Sequence, residues 1–315
     1  MAQTDWEALL PAAVEIIEVG PRDGLQNLPH FVETADKIRI VDALIAAGIR
    51  RMEVTSFVHP KAVPQMRDAS EVLRGIAAGD CQVFALVPNL KGAERAIEAG
   101  AQMLNLVISV SESHNRSNVR MSVDESLATF PAVVELARQA GVPVRVSMAT
   151  SFGCPFEGEI PLERVIEVGR RLVAIGCVEL NLCDTTGMAN PRQVARLAQR
   201  VRAEFPGIAL CMHFHNTRGA GLANLLAAMQ NGIAAFESSF GGLGGCPFAP
   251  GANGNVCTED IVHMLQEMGI ATGIDLPALL QAVRAAETTL GMTFPGQVIR
   301  AGQSCELSPL SLPTA

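Results

Sequence analysis

"ALCMHFHNTRGAGLANLLAAMQNGIAAFESSF", residues 209–240, holds one full structural repeat of this chain. An apolar run, 209–215, ends in two histidines and a polar Asn-Thr-Arg-Gly cluster. An Ala/Leu-rich helical pattern follows, stops at Gly232, and gives way to a second apolar run, 234–240. Successive side chains of a strand face opposite sides. His213 and His215 therefore share one face with Cys211, while Met212 and Phe214 point the other way. The same unit recurs outward in both directions. Strands are expected at "VEIIEVG" (14–20), "RMEVTSF" (51–57), "QVFALV" (82–87), "MLNLVISV" (103–110), "PVRVSMAT" (143–150) and "VELNLCD" (178–184), besides 209–215 and 234–240. The intervening helices stop at "AAGIRR", "EAGAQ", "QAGVP", "AIGCV" and "QNGIA", each with Gly where a left-handed cap is wanted. Eight strands alternating with helices predict an α/β fold, a (β/α)8 TIM barrel. A doubly wound sheet is disfavoured, because no GxGxxG or GxxxxGK[ST] phosphate loop is present. Two more helices are expected near 258–269 and 275–290. The resulting division is one domain over 12–291 and a Pro/Ser-rich, poorly ordered tail over 292–315.

Composition narrows the function classes. With 49% apolar and 18% charged residues in 315, the chain can bury a large core. A net charge of −8 argues against nucleic acid or an anionic membrane as partner. The N-terminal "MAQTDWEALLPAAVE" lacks a basic region followed by an apolar one, so no secretory signal is expected. No apolar run is long enough to span a bilayer. Eight scattered cysteines without a CxxC pair predict reduced thiols and a cytoplasmic location.

Barrel chemistry sits at the C-terminal ends of the strands, and unusual polar residues collect there. The ends read "EVGPRDGLQN", "EVTSFVHP", "SVSESHNRSN", "NLCDTTG", "HFHNTRG" and "GGLGGCPFAPGANGN". His-x-His on one strand face suits a metal ion, although two hydrogen-bonded interior histidines would show the same spacing. Arg22 and Asp23 in "PRDG" form either a surface ion pair or an oxyanion cation beside an anionic ligand. Two imidazoles, a carboxylate and an amide oxygen make a mixed O/N site. Such a set suits Mg2+ or Mn2+ better than structural zinc, an option that Cys211 keeps open. The segment 240–255, with six glycines and two prolines, is either a flexible surface loop or a lid over substrate. It carries one thiol, Cys246, and ends in one amide, Asn255.

Together, "EVGPRDGLQN" and "GGLGGCPFAPGANGNVCTED" resemble the hydroxymethylglutaryl-CoA lyase family of metal-dependent barrels, from about residue 14 to 290. The resemblance implies a divalent cation, Mg2+ or Mn2+, and retro-Claisen cleavage of an acyl-CoA thioester. Hydroxymethylglutaryl-CoA would give acetyl-CoA and acetoacetate. It implies Asp23, His213, His215 and Asn255 as metal ligands, Arg22 as the catalytic arginine and Cys246 as the lid cysteine. Glu53 matches a glutamate supporting the metal shell and proton transfer. Asp184, Glu259 and Asp260 match acidic residues of the active-site architecture. Arg22, Gln26, His114 and Arg218 are expected to meet substrate, and a homodimer or higher homo-oligomer is expected.

The chain departs from the family pattern in places. Leu28, Pro29 and His30 follow "RDGLQN", where the lyases commonly continue Glu-Lys. "HFHNTRG" has Asn216 and Arg218 where HxHDTYG is common, and His114 and Arg116 stand where an aromatic residue and lysines often do. All lie where the acid end of the substrate is expected. That makes (R)-citramalyl-CoA, cleaved to pyruvate and acetyl-CoA, the alternative substrate. A Claisen synthase of the isopropylmalate type is a rival, disfavoured because such enzymes carry a further regulatory domain. A biotin carboxyltransferase is disfavoured by the lack of lysine at the strand ends. A structural metal-binding barrel would turn over no CoA thioester.

Overall fold

The computed structural model describes residues 7–245 and 254–307. All eight expected strands form: β1 Glu15–Glu18, β2 Arg51–Ser56, β3 Gln82–Leu86, β4 Leu104–Ser109, β5 Val144–Ala149, β6 Glu179–Asp184, β7 Ala209–Phe214 and β8 Ala235–Ser238. Each pairs in parallel with its sequence neighbour, and β8 pairs with β1 to close the barrel. The helix-stop glycines do adopt the left-handed conformation, for example Gly48 at φ 106° and Gly176 at φ 101°. Among the elements not expected, Gly153–Cys154 and Gly158–Glu159 form a small antiparallel hairpin at the mouth of β5.

Two apolar regions differ greatly in size. The larger lies between strands and helices and takes in most buried Val, Leu and Ile. The smaller, inside the barrel, is Ile17, Phe84, Met103 and Cys211, with Ala235 packed against it. Barrel interiors are usually filled by branched apolar residues. Here charged side chains take much of that volume: Arg145 is fully buried, and Arg51, Glu179 and Glu237 are buried beside it. Both guanidinium groups lie over the Phe84 ring, at 4.9 Å for Arg145 and 5.8 Å for Arg51.

Thr258–Glu267 and Leu276–Leu290 are helical, as expected. The expectation of a poorly ordered tail does not hold for residues 294–301. Phe294 is 1% exposed and meets the Phe240 ring edge-on at 5.8 Å. The Asp260 carboxylate accepts the backbone N–H of Gln297 and Val298 at 2.9 and 2.8 Å. Apolar burial and a helix cap thus dock this segment on the barrel. Cys81, Cys154, Cys177, Cys183, Cys211 and Cys257 are buried free thiols, and Cys305 is exposed. Among the described residues, no helix is long and apolar enough to cross a membrane.

Candidate active site

β1 runs into a single tight turn, Gly20–Gly24, that carries Arg22 and Asp23. Glu18 holds the turn from below. Its Oε1 accepts the N–H of Gly20 at 2.7 Å and of Phe240 at 3.0 Å, and its Oε2 accepts the Thr258 hydroxyl at 2.7 Å. One carboxyl therefore ties the β1 turn to the start of the glycine-rich segment and to the helix Thr258–Glu267 that follows it. Gly20 is required there, because a Cβ would lie 2.5 Å from the Phe240 ring. Burial pushes the Glu18 carboxyl up to about 7, against the pull of those three donors. A carboxyl with an ordinary value of 4.5 unfolded and about 7 folded favours folding below pH 4.5, and that contribution fades as pH rises to 7. Glu18→Gln should flatten this fall, worth a few kcal/mol at about 1.4 kcal/mol per pH unit. Urea melts from pH 4 to 8 would show it; parallel curves for the two proteins would refute the assignment.

Arg22 is 9% exposed, with Nη1 2.9 Å from Asp23 Oδ1 and Nε bonded to Glu53 on β2. Glu53 also accepts from Asn105 of β4 at 2.6 Å, so a carboxylate held from a second strand fixes the guanidinium. Burial pushes the Glu53 carboxyl up. Burial works the same way on Asp23, but the Arg22 guanidinium foremost, with His213 and the Asn255 amide, outweighs it and holds that carboxyl low.

His213 and His215 meet this turn from β7. Their ring centroids are 5.0 Å apart, and one ligand atom from each of Asp23, His213 and His215 lies within 4.8 Å of the others. Burial, with His213 beside it, lowers His215 to about 3 and keeps it a neutral imidazole, the form that ligates metals. Asn255, bridged to His215 through the backbone, donates to Asp23 Oδ2 at 2.7 Å and to Leu243 O at 2.9 Å. Its Oδ1 is buried without a hydrogen-bond partner among the described residues, as is His215 Nδ1. An orphaned amide oxygen beside a carboxylate and two imidazoles is a donor set that a divalent cation would satisfy.

The other expected residues fall in several places. Asp184, at the end of β6, accepts N–H of Met188 and Ala189 at 2.8 and 3.0 Å, and burial pushes it up to about 7. Glu259 accepts Gly241 N–H at 3.1 Å, at the start of the glycine-rich segment. His114 is buried, its Nδ1 2.7 Å from Ser109 Oγ, and burial lowers its pKa. Gln26 is half-buried in Leu25–Asn27, and His30 is exposed. Arg218 directs Nη1 to the carbonyls of Thr186 and Gly187, at 3.0 and 2.8 Å. Cys246 lies outside the described residues.

The HMGL-like family model matches residues 13–285. The chain belongs to the HMGL-like family. It is 44% identical to the hydroxymethylglutaryl-CoA lyase YngG of Bacillus subtilis over 93% of this chain and 99% of that one. It is 42% identical to the (R)-citramalyl-CoA lyase of Chloroflexus aurantiacus over 92% and 95%. The structure of an HMG-CoA lyase from Acinetobacter baumannii, in complex with coenzyme A and 3-methylmalate, superimposes with a TM-score of 0.91. The two are 45% identical, with 98% of this chain and 100% of that chain covered.

In this HMGL-like barrel, three residues at the site escaped the sequence reading: Glu18, Arg145 and Glu237. Glu237 Oε2 lies 2.8 Å from His213 Nδ1, and its Oε1 accepts from Arg145 at 2.6 Å. Each sits as a charge inside a β-branched apolar run, "VEIIEVG", "PVRVSMAT" and "AAFESSF". Buried charges are rare unless paired, so that context was the available signal.

Proposed function

We propose that this chain is a divalent-cation-dependent carbon–carbon lyase that cleaves (S)-3-hydroxy-3-methylglutaryl-CoA to acetyl-CoA and acetoacetate. The observation that carries this reading is the convergence of Asp23, His213 and His215 at the strand ends, with the buried Arg22 guanidinium bonded to Asp23. Asp23, His213, His215 and Asn255 would hold Mg2+ or Mn2+. Once bound, the cation supplies a Lewis acid for the tertiary hydroxyl and its neighbouring carboxylate. Arg22, locked by Glu53, is a preorganised cation for the thioester oxygen, where enolate charge develops as the C–C bond breaks. Glu53, raised by burial and aimed at the same turn, is suited to take part in moving the hydroxyl proton. Cys246 is proposed to return a proton to the acetyl carbanion from the glycine-rich segment. A dimeric or larger cytoplasmic assembly belongs to the same proposal.

The test is a cleavage assay on purified protein, following acetyl-CoA and keto-acid release from a panel of 3-hydroxy-3-carboxyalkyl acyl-CoAs. Preferred turnover of hydroxymethylglutaryl-CoA supports the proposal, and no turnover of any member defeats it. (R)-Citramalyl-CoA belongs in the panel because a 42% identical relative is named for it. The contacts of Arg218 bear on that choice, since it donates to two backbone carbonyls of the turn after Asp184. Arg218→Tyr should thus lower the melting temperature, since two hydrogen bonds of about 1 kcal/mol each hold that turn, and should change kcat/KM by the same factor for both substrates. A change in the ratio between substrates would instead place Arg218 on the substrate carboxylate.

A further inference from the structure

The barrel interior below the site holds a ladder of alternating charges that no step above uses. Glu15 lies 3.3 Å from Arg51 at the base, and Arg51 bonds to Glu179. Glu179 is 2.8 Å from Arg145 Nε, Arg145 Nη1 is 2.6 Å from Glu237, and Glu237 is 2.8 Å from His213 Nδ1. Strand register makes the last rungs possible: Arg145 is aligned with Glu179, and Glu237 with His213. Arg145 and Glu237 are 0% and 4% exposed, so water does not compete for either.

We infer that Glu237 is a positioning residue of the candidate metal centre: gripped by Arg145, it fixes the His213 ring and tautomer before any cation arrives. The inference rests on the proposed metal centre. A carboxylate paired with Arg145 can only accept, so in the neutral His213 ring Nδ1 carries the proton and Nε2 keeps its lone pair for a metal. His215 has no such anchor, because its Nδ1 is without a partner among the described residues. One ring of the pair is thus preset, and the other is left for the cation to order.

The decisive variant is Glu237→Gln, which keeps shape and volume. Its amide has one oxygen, and Arg145, which has no lone pair, can be satisfied only by that oxygen. The amide NH2 then faces His213 Nδ1 and turns it into an acceptor, so the proton moves to Nε2 and blocks the metal-binding lone pair. Long-range proton–nitrogen NMR of full-length, cation-free, 15N-histidine-labelled protein reads the tautomer, at a pH above the imidazole range. A His213→Asn sample assigns the signal.

In the native protein we expect Nδ1–H, in Glu237→Gln we expect Nε2–H, and Mn2+ titration should show about 10–100-fold weaker binding in the variant. An unchanged tautomer overturns the inference, whatever the affinity does. A switched tautomer with no Mn2+ binding by either protein supports the control of the ring and counts against the metal centre itself. Should Glu237→Gln not fold, Glu237→Asp keeps the charge beside Arg145 but withdraws it by one methylene from His213. Mixed tautomers and weakened Mn2+ binding are then expected, and native behaviour in both overturns the inference.

Discussion

Arg22→Gln should lower turnover by at least about 10²–10³-fold, the typical effect of losing one oxyanion donor, and here the donor is a cation. The native guanidinium reaches Glu53 through Nε and Asp23 through Nη1 while 9% exposed, so it is oriented before substrate arrives. Gln is too short to span both carboxylates and carries no charge. The fold should survive the change. Glu53, already pushed up by burial, can take a proton rather than stay ionised without its partner. Steady-state kinetics, with Mn2+ titration and a thermal melt as controls, make the measurement. Near-native turnover would remove Arg22 from the chemistry. A collapsed melt would make its role structural.

Chelation should abolish turnover, and added Mg2+ or Mn2+ should restore it. The proposed ligands bring a single negative charge, from Asp23, with two imidazoles and one amide oxygen. Such a set binds modestly and exchanges readily. Asp23→Asn removes that charge and should weaken Mn2+ binding beyond the roughly 100-fold that loss of a supporting residue can reach. Metal analysis of the same samples used for kinetics settles the matter, since full activity in demonstrably cation-free protein would end the metal reading.

The expected strands lie within a few residues of those observed, because β-branched runs and glycine stops are local signals. Gly48 and Gly176 show why the helix ends were legible: a positive φ is a requirement that the residue itself meets. Arg22, Asp23, His213 and His215 were equally legible, since each stands in a compact motif at the end of a strand. The order of residues 294–301 was not, because Pro and Ser describe the segment poorly when Phe294 and the N–H groups on Asp260 hold it. For Arg218, sequence position indicated the rim correctly but left its hydrogen-bond partners open.

The sequence by itself determined the barrel, the rim where polar residues gather and the donor types that converge there. These follow from periodicities and turn chemistry that span only a few residues. Only the tertiary structure decided which buried charges meet. Glu237 finds His213 across 24 residues and Arg145 across 92, while Glu18 reaches Thr258 across 240. Such partners are chosen by the register of strands around a closed barrel and by the low polarity of its interior, where a charge must be paired. Neither condition exists until the barrel closes.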